Sequence, residues 1–186
     1  MYDAPLARVL NGIVDCPAQV EAVGLPRFCE TVPTAGGKSP VRHLYQGKEP
    51  KAAAEALLRI AAVQAGDGTW ENIGVGRIYY LSGDKEKGEA LFKKATGGKS
   101  GKTDWRKISR IYAQAGDLDK AVSAMEKALA FEPKDEAYQA ELGAVLNLKG
   151  DRAKAEEMFA KSFKGKPEEV WNTINAAGSY VGVPPQ

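Results

Sequence analysis

Arg106 and Arg110 stand four residues apart, so a helix through this segment would carry two guanidinium groups on one face. Paired guanidiniums suit carboxylates, whose two oxygens match the planar fork of N–H donors. Other chemistry-bearing residues are sparse. His43 is the single histidine, which excludes a histidine-cluster metal site or a catalytic arrangement needing a second histidine. The adjacent carboxylates Asp135-Glu136 and Glu156-Glu157 do not share a helical face and read as solvated surface. TGGKSGKT (96–103) resembles a phosphate-binding loop, G-x4-G-K-[ST], but the opening glycine would fall on Thr96 and a strand would have to precede it. AGGKSP (35–40) has the same defect, its opening glycine falling on Val32. Both read as linker. No metal, cofactor or catalytic residue is expected, and the chain reads as non-enzymatic.

Cys16 and Cys29 lie 13 residues apart, which excludes a CxxC redox or zinc motif. They are read either as a disulfide, worth about 3 kcal/mol for a loop of that size, or as two small core residues in a reducing compartment. A bridge would imply the periplasm or exterior. Met1-Tyr2-Asp3 opens with neither a basic nor an apolar signal segment. The expectation leans to a periplasmic or extracellular mature form, with the cytoplasm as the alternative.

The elements that carry these residues follow from composition and spacing. The chain has 186 residues, 44% of them hydrophobic, long enough to bury a real core. Its 26 basic and 24 acidic residues leave a net charge of +2, too balanced to predict nucleic-acid or membrane binding from bulk charge. No apolar run reaches the ~18–20 residues of a bilayer span. Gly-Asp pairs recur at Gly83-Asp84, Gly116-Asp117 and Gly150-Asp151, spaced by 33 and 34 residues. Helical apolar stripes flank each pair: Trp105, Ile108 and Tyr112 before the second, Ala121, Met125 and Ala128 after it.

The motif Trp105-x2-Ile108-Ser109-x2-Tyr112…Ala121-x3-Met125…Pro133 resembles the tetratricopeptide repeat, W-x2-L-G-x2-Y…A-x3-F…P over ~34 residues. Gln139-x2-Leu142-Gly143-x2-Leu146…Ala155-x3-Phe159…Pro167 fits too, with Gln139 at the aromatic position. In the earlier unit Asn72 holds that position, and Trp70 is read as filling the aromatic role from slightly earlier in the chain. The resemblance implies an all-α fold: a right-handed α-solenoid of helix-turn-helix repeats with an N-terminal helical and loop arm and a C-terminal capping helix. The units are read as a degenerate half repeat (51–68), repeats at 69–101, 102–135 and 136–169, and a capping helix and tail (170–186). Residues 1–50 form the arm, with Leu6, Val9, Leu10 and Ile13 on one helical face. It caps the first repeats or reaches a neighbouring molecule. The capping helix, Glu168–Tyr180, carries Trp171, Ile174 and Ala177 on one face, with Trp171 read either as a buried cap or as a contact between copies, and VGVPPQ (181–186) is expected to be extended.

In this family the first helix of each unit lines a concave groove that binds peptides or partner helices. The implied groove positions are Ile73, Arg77 and Tyr80, then Arg106, Arg110 and Gln114, then Ala140, Ala144 and Asn147. Arg77, Arg106 and Arg110 would form a basic patch, unless Arg110 pairs with Asp104 or Glu141. Two functions follow. One is a scaffold docking an acidic or amphipathic protein segment in the groove. The other is a structural protein whose solenoid ends and N-terminal arm assemble copies of itself into oligomers or filaments.

Overall fold

A computed structural model describes residues 42–186 apart from Lys99. Cys16, Cys29 and most of the N-terminal arm lie outside the described residues. Every element described is a helix: α1 (Arg42–Tyr45), α2 (Pro50–Ala65), α3 (Thr69–Leu81), α4 (Lys85–Thr96), α5 (Lys102–Gln114), α6 (Leu118–Phe131), α7 (Glu136–Lys149), α8 (Arg152–Gly165) and α9 (Val170–Tyr180). Helices α3 and α4, α5 and α6, and α7 and α8 pair as antiparallel hairpins, and the hairpins stack into an α-solenoid.

Each Gly-Asp pair makes the turn inside a hairpin. Gly116 and Gly150 have φ of 79° and 95°, the left-handed region that closes a helix. The following N–H groups of Asp117 and Asp151 donate back to Tyr112 and Leu146, at 2.9 Å in both cases. Asp84 and Asp151 then accept backbone N–H groups from the first turns of α4 and α8. Asp117 is used differently. Its carboxylate accepts the Tyr80 hydroxyl and the Lys85 ammonium of the preceding unit, both at 2.6 Å, and so ties two repeats together.

Small residues set the helix crossings. A Cβ on Gly143 would stand 2.7 Å from the Phe159 ring, and one on Gly76 2.8 Å from Phe92, so α3 meets α4 and α7 meets α8 only where a side chain is missing. Ser109 takes the matching place in α5 and donates its hydroxyl to the Ala121 carbonyl of α6 at 2.7 Å. Tyr80, Phe92 and Tyr112 cluster with ring centroids 5.2 to 5.7 Å apart, joining the first two hairpins. Helix α2 covers the first hairpin through a smaller cluster that includes Ala62, Val75, Tyr79 and Leu91.

Helix α9 packs along α7, and through a different face from the one that carries Trp171. Trp171 is 63% exposed, Ile174 is 47% exposed and Ala177 is exposed, while Asn172, Asn175, Ala176 and Ser179 are buried. Position 172 continues the series 72, 105, 139, and Ala176 continues Gly76, Ser109, Gly143. The repeat register therefore selects the buried face, with Ala176 at the small-residue position. Asn172 donates to the Ser162 hydroxyl of α8 at 3.0 Å, and Asn147 of α7 donates to the Ser179 hydroxyl at 3.0 Å. Hydropathy alone favoured the wrong stripe because these contacts are polar.

Candidate protein-docking groove

Register also explains the amides at the aromatic position of the first helix. Asn72 donates to the carbonyls of Gly66 and Gly68, at 3.0 and 2.7 Å, and Gln139 donates to the Pro133 carbonyl at 2.8 Å. Each amide pins the linker that enters its helix. Trp70 therefore does not fill the aromatic role assigned to it. It is 60% exposed and turned toward α5, its indole N–H donating to Asp104 at 3.0 Å and its ring carrying the Lys107 ammonium 3.3 Å from the centroid.

Trp70 marks the edge of a cavity of about 560 Å³. Helix α3 lines it with Trp70, Ile73, Gly74 and Arg77, and α5 with Lys107, Arg110, Ile111 and Gln114. Residues 183–186, the end of the described chain, form the remaining wall. The floor is apolar, since Ile73 and Ile111 are buried, and the walls carry three cations. Arg77 is exposed and donates to the Gln114 side chain at 3.0 Å. Among the described residues neither Arg77 nor Lys107 forms an ion pair with a carboxylate.

The guanidinium groups of Arg106 and Arg110 converge on a single acid. Glu141 of α7 is 1% exposed and accepts from both, Arg110 approaching to 2.6 Å. Arg106 also lies over the Tyr138 ring, 4.8 Å from its centroid. These long side chains bridge α5 to α7, and Glu141 takes up part of the positive charge assigned to the groove.

Of the nine groove positions named from sequence, Ile73, Arg77, Arg110 and Gln114 line the cavity, while Arg106 stands beside it in the bridge. Tyr80 is 1% exposed in the aromatic cluster, and burial with its bond to Asp117 pushes its hydroxyl up to about 12. The Lys85 ammonium, and then the Tyr80 hydroxyl, hold the Asp117 carboxyl below its ordinary value. Asn147 is half-buried against α9, and Ala140 and Ala144 are fully buried. The third unit presents no groove at these positions because α9 lies on α7. Lys107 was missed; its i+3 relation to Asp104 and its place one residue after Arg106 gave no periodic signal. TGGKSGKT joins α4 to α5 with no strand before it, as a linker does.

Residues 105–135, the hairpin of α5 and α6, match the family model described as tetratricopeptide repeat. That hairpin is similar to a tetratricopeptide repeat. This repeat generally mediates protein–protein interaction and is typically non-enzymatic. A search of curated proteins found no match. No helix among the described residues is long and apolar enough to cross a membrane. Among the same residues no group of three or more His, Cys, Asp or Glu side chains gathers to hold a metal ion.

Proposed function

We propose that the protein is a docking scaffold whose groove between α3 and α5 binds an acidic, partly apolar segment of a partner protein. The observation that carries this reading is the pairing of an apolar floor, Ile73 and Ile111, with the cations Arg77, Lys107 and Arg110 around one cavity. Carboxylates on a docked segment would meet Arg77 and Lys107 first, because Arg110 already shares Glu141. The test is a fluorescence titration of peptides of about 12 residues, acidic and amphipathic against charge-neutral versions, long enough to span two helices. The acidic set should bind, weaken with salt, and lose about tenfold or more in affinity to the double variant Arg77→Glu, Lys107→Glu. Equal binding by the native and charge-reversed chains would refute the groove.

A second reading, self-assembly, draws on the outer face of α9. Val170, Trp171, Ile174 and Val181 are 58%, 63%, 47% and 77% exposed, an apolar strip at the end of the solenoid where a further copy of the chain could stack. Molar mass by light scattering separates the readings. Mass rising with concentration in the native chain, and constant in Trp171→Ser, favours assembly; constant mass in both removes it.

A further inference from the structure

One wall of the cavity comes from the far end of the solenoid. We propose that the segment after α9, Val181–Gln186, is a strap whose last four residues close one side of the docking groove and must move aside for a partner segment, so that the groove is gated in cis. This proposal rests on the docking reading above.

Helix α9 ends as α5 and α7 do. Gly182 takes φ of 81°, its N–H donates to Ser179, and the Val183 N–H donates back to Gly178 at 2.9 Å. In the repeats, the residue after the left-handed glycine is an aspartate that starts the outer helix. Here it is Val183, followed by Pro184 and Pro185. Proline disfavours helical geometry in the residue before it and holds its own segment extended. The outer helix of this unit is thereby replaced by a stiff extended strap aimed back across the inner helices.

Two further features seat it. A Cβ on Gly178 would stand 3.3 Å from the Val183 carbonyl oxygen, so the close return of the strap over α9 uses the missing side chain. Pro185 is buried, and with its neighbours it walls the cavity opposite Ile73, Arg77 and Ile111. A segment held in this way stays beside the groove at high effective concentration, with little conformational entropy left to lose.

The strap is nonetheless an incomplete ligand. VGVPPQ walls the cavity but carries no acidic side chain, so it brings no side-chain carboxylate to Arg77 and Lys107. A partner segment that combines small apolar or proline residues with carboxylates gains contacts that the strap cannot make. Displacement is therefore favourable for an acidic extended segment and unfavourable for a merely apolar one. The gate selects by charge.

The test compares the native chain with one ending at Val183, which keeps the helix-closing turn and removes Pro184, Pro185 and Gln186. A full-length variant, Pro184→Gly with Pro185→Ser, loosens the strap without shortening the chain. The first readout is the Trp70 indole N–H resonance, assigned through Trp70→Phe. It should shift on truncation while the resonance of Trp105, on the far side of α5 over Lys127, stays in place. An unmoved Trp70 resonance overturns the strap. The second readout is affinity for the acidic peptides. A strap docked nine-tenths of the time weakens the native chain by about tenfold, so both variants should bind about tenfold more tightly. Equal affinity in all three chains overturns the gate and leaves the docking reading standing. Binding by none of them removes the docking reading, and the gate with it.

Discussion

Replacing Arg106 and Arg110 together should cost more than the two single replacements added, because Glu141 has no other hydrogen-bond partner among the described residues. Arg106→Ala leaves Glu141 paired with Arg110, and Arg110→Ala leaves it paired with Arg106. The arginine side chains are 27% and 30% exposed, so water already screens each pair on its outer side. Each single loss should therefore cost about 1 kcal/mol, below the ~1.5–3 kcal/mol of a fully buried charge-assisted bond. The double variant strands a carboxylate that is 1% exposed, at a cost of about 3–5 kcal/mol. The coupling is at least about 1 kcal/mol, above the ~0.3–0.5 kcal/mol scatter of independent sites. Adding Glu141→Leu to the double variant removes the stranded charge and should recover more than half of the loss. The assay is urea unfolding of the native chain, both singles, the double and the triple at neutral pH. With a slope of roughly 2 kcal/mol per M, the double should move the midpoint by about 2 M and the triple should move it back. An additive double variant, or a triple no more stable than the double, would refute the bridge. The result also governs any binding experiment: loss of ligand by the Arg106, Arg110 double variant reports unfolding unless stability is measured beside it.

Gly143→Val should destabilise by about 1–3 kcal/mol, since its Cβ meets the Phe159 ring at 2.7 Å, and the smaller ring-free side chain of Phe159→Leu should recover part of that in thermal melts. Trp171→Ser should change stability by less than about 0.5 kcal/mol, whereas Asn172→Ala should cost about 1–3 kcal/mol by leaving the buried Ser162 hydroxyl without its donor; the reverse order in denaturant melts would mean that α9 packs through its apolar stripe. Burial raises the hydroxyl pKa of Tyr79, Tyr80 and Tyr112, in Tyr80 to about 12. The folded state thus favours the protonated phenol, and this stability is complete below the unfolded value of about 10 and falls as pH climbs from there toward 12. Phenolate absorbance should accordingly show a late class of tyrosines that ionises together with loss of helical circular dichroism. Simple early titration of all seven tyrosines would contradict that burial.

The hairpins were legible because their signals are local. A glycine that must take positive φ, an aspartate after it, and small residues at 33- or 34-residue spacing each act within one unit. The groove was legible in part. Arg77, Arg110 and Gln114 fall on the exposed side of their helices for the same periodic reason that puts Ile108 and Tyr112 inside. Tyr80 and Asn147 fail because a neighbouring unit covers them: Tyr80 packs on Tyr112 and bonds to Asp117, and Asn147 bonds to Ser179. Helical periodicity marks which side of a helix a residue occupies, and is silent on which sides a second unit will hide.

By itself the sequence determined the repeat, its length and its turns, since these depend on backbone conformation and on contacts within about one unit. It also carried the register that buries Asn172, Ala176 and Ser179, although hydropathy pointed to Trp171. Only the tertiary structure decided that two arginines share Glu141, that Trp70 sits at the groove under Lys107, and that Pro185 is buried beside a cavity lined by helices some seventy or more residues earlier in the chain. The arginine and tryptophan contacts join neighbouring repeats, and the Pro185 placement spans more than one. Their geometry depends on how far each hairpin rotates against the next, a quantity set by the summed packing of the whole array.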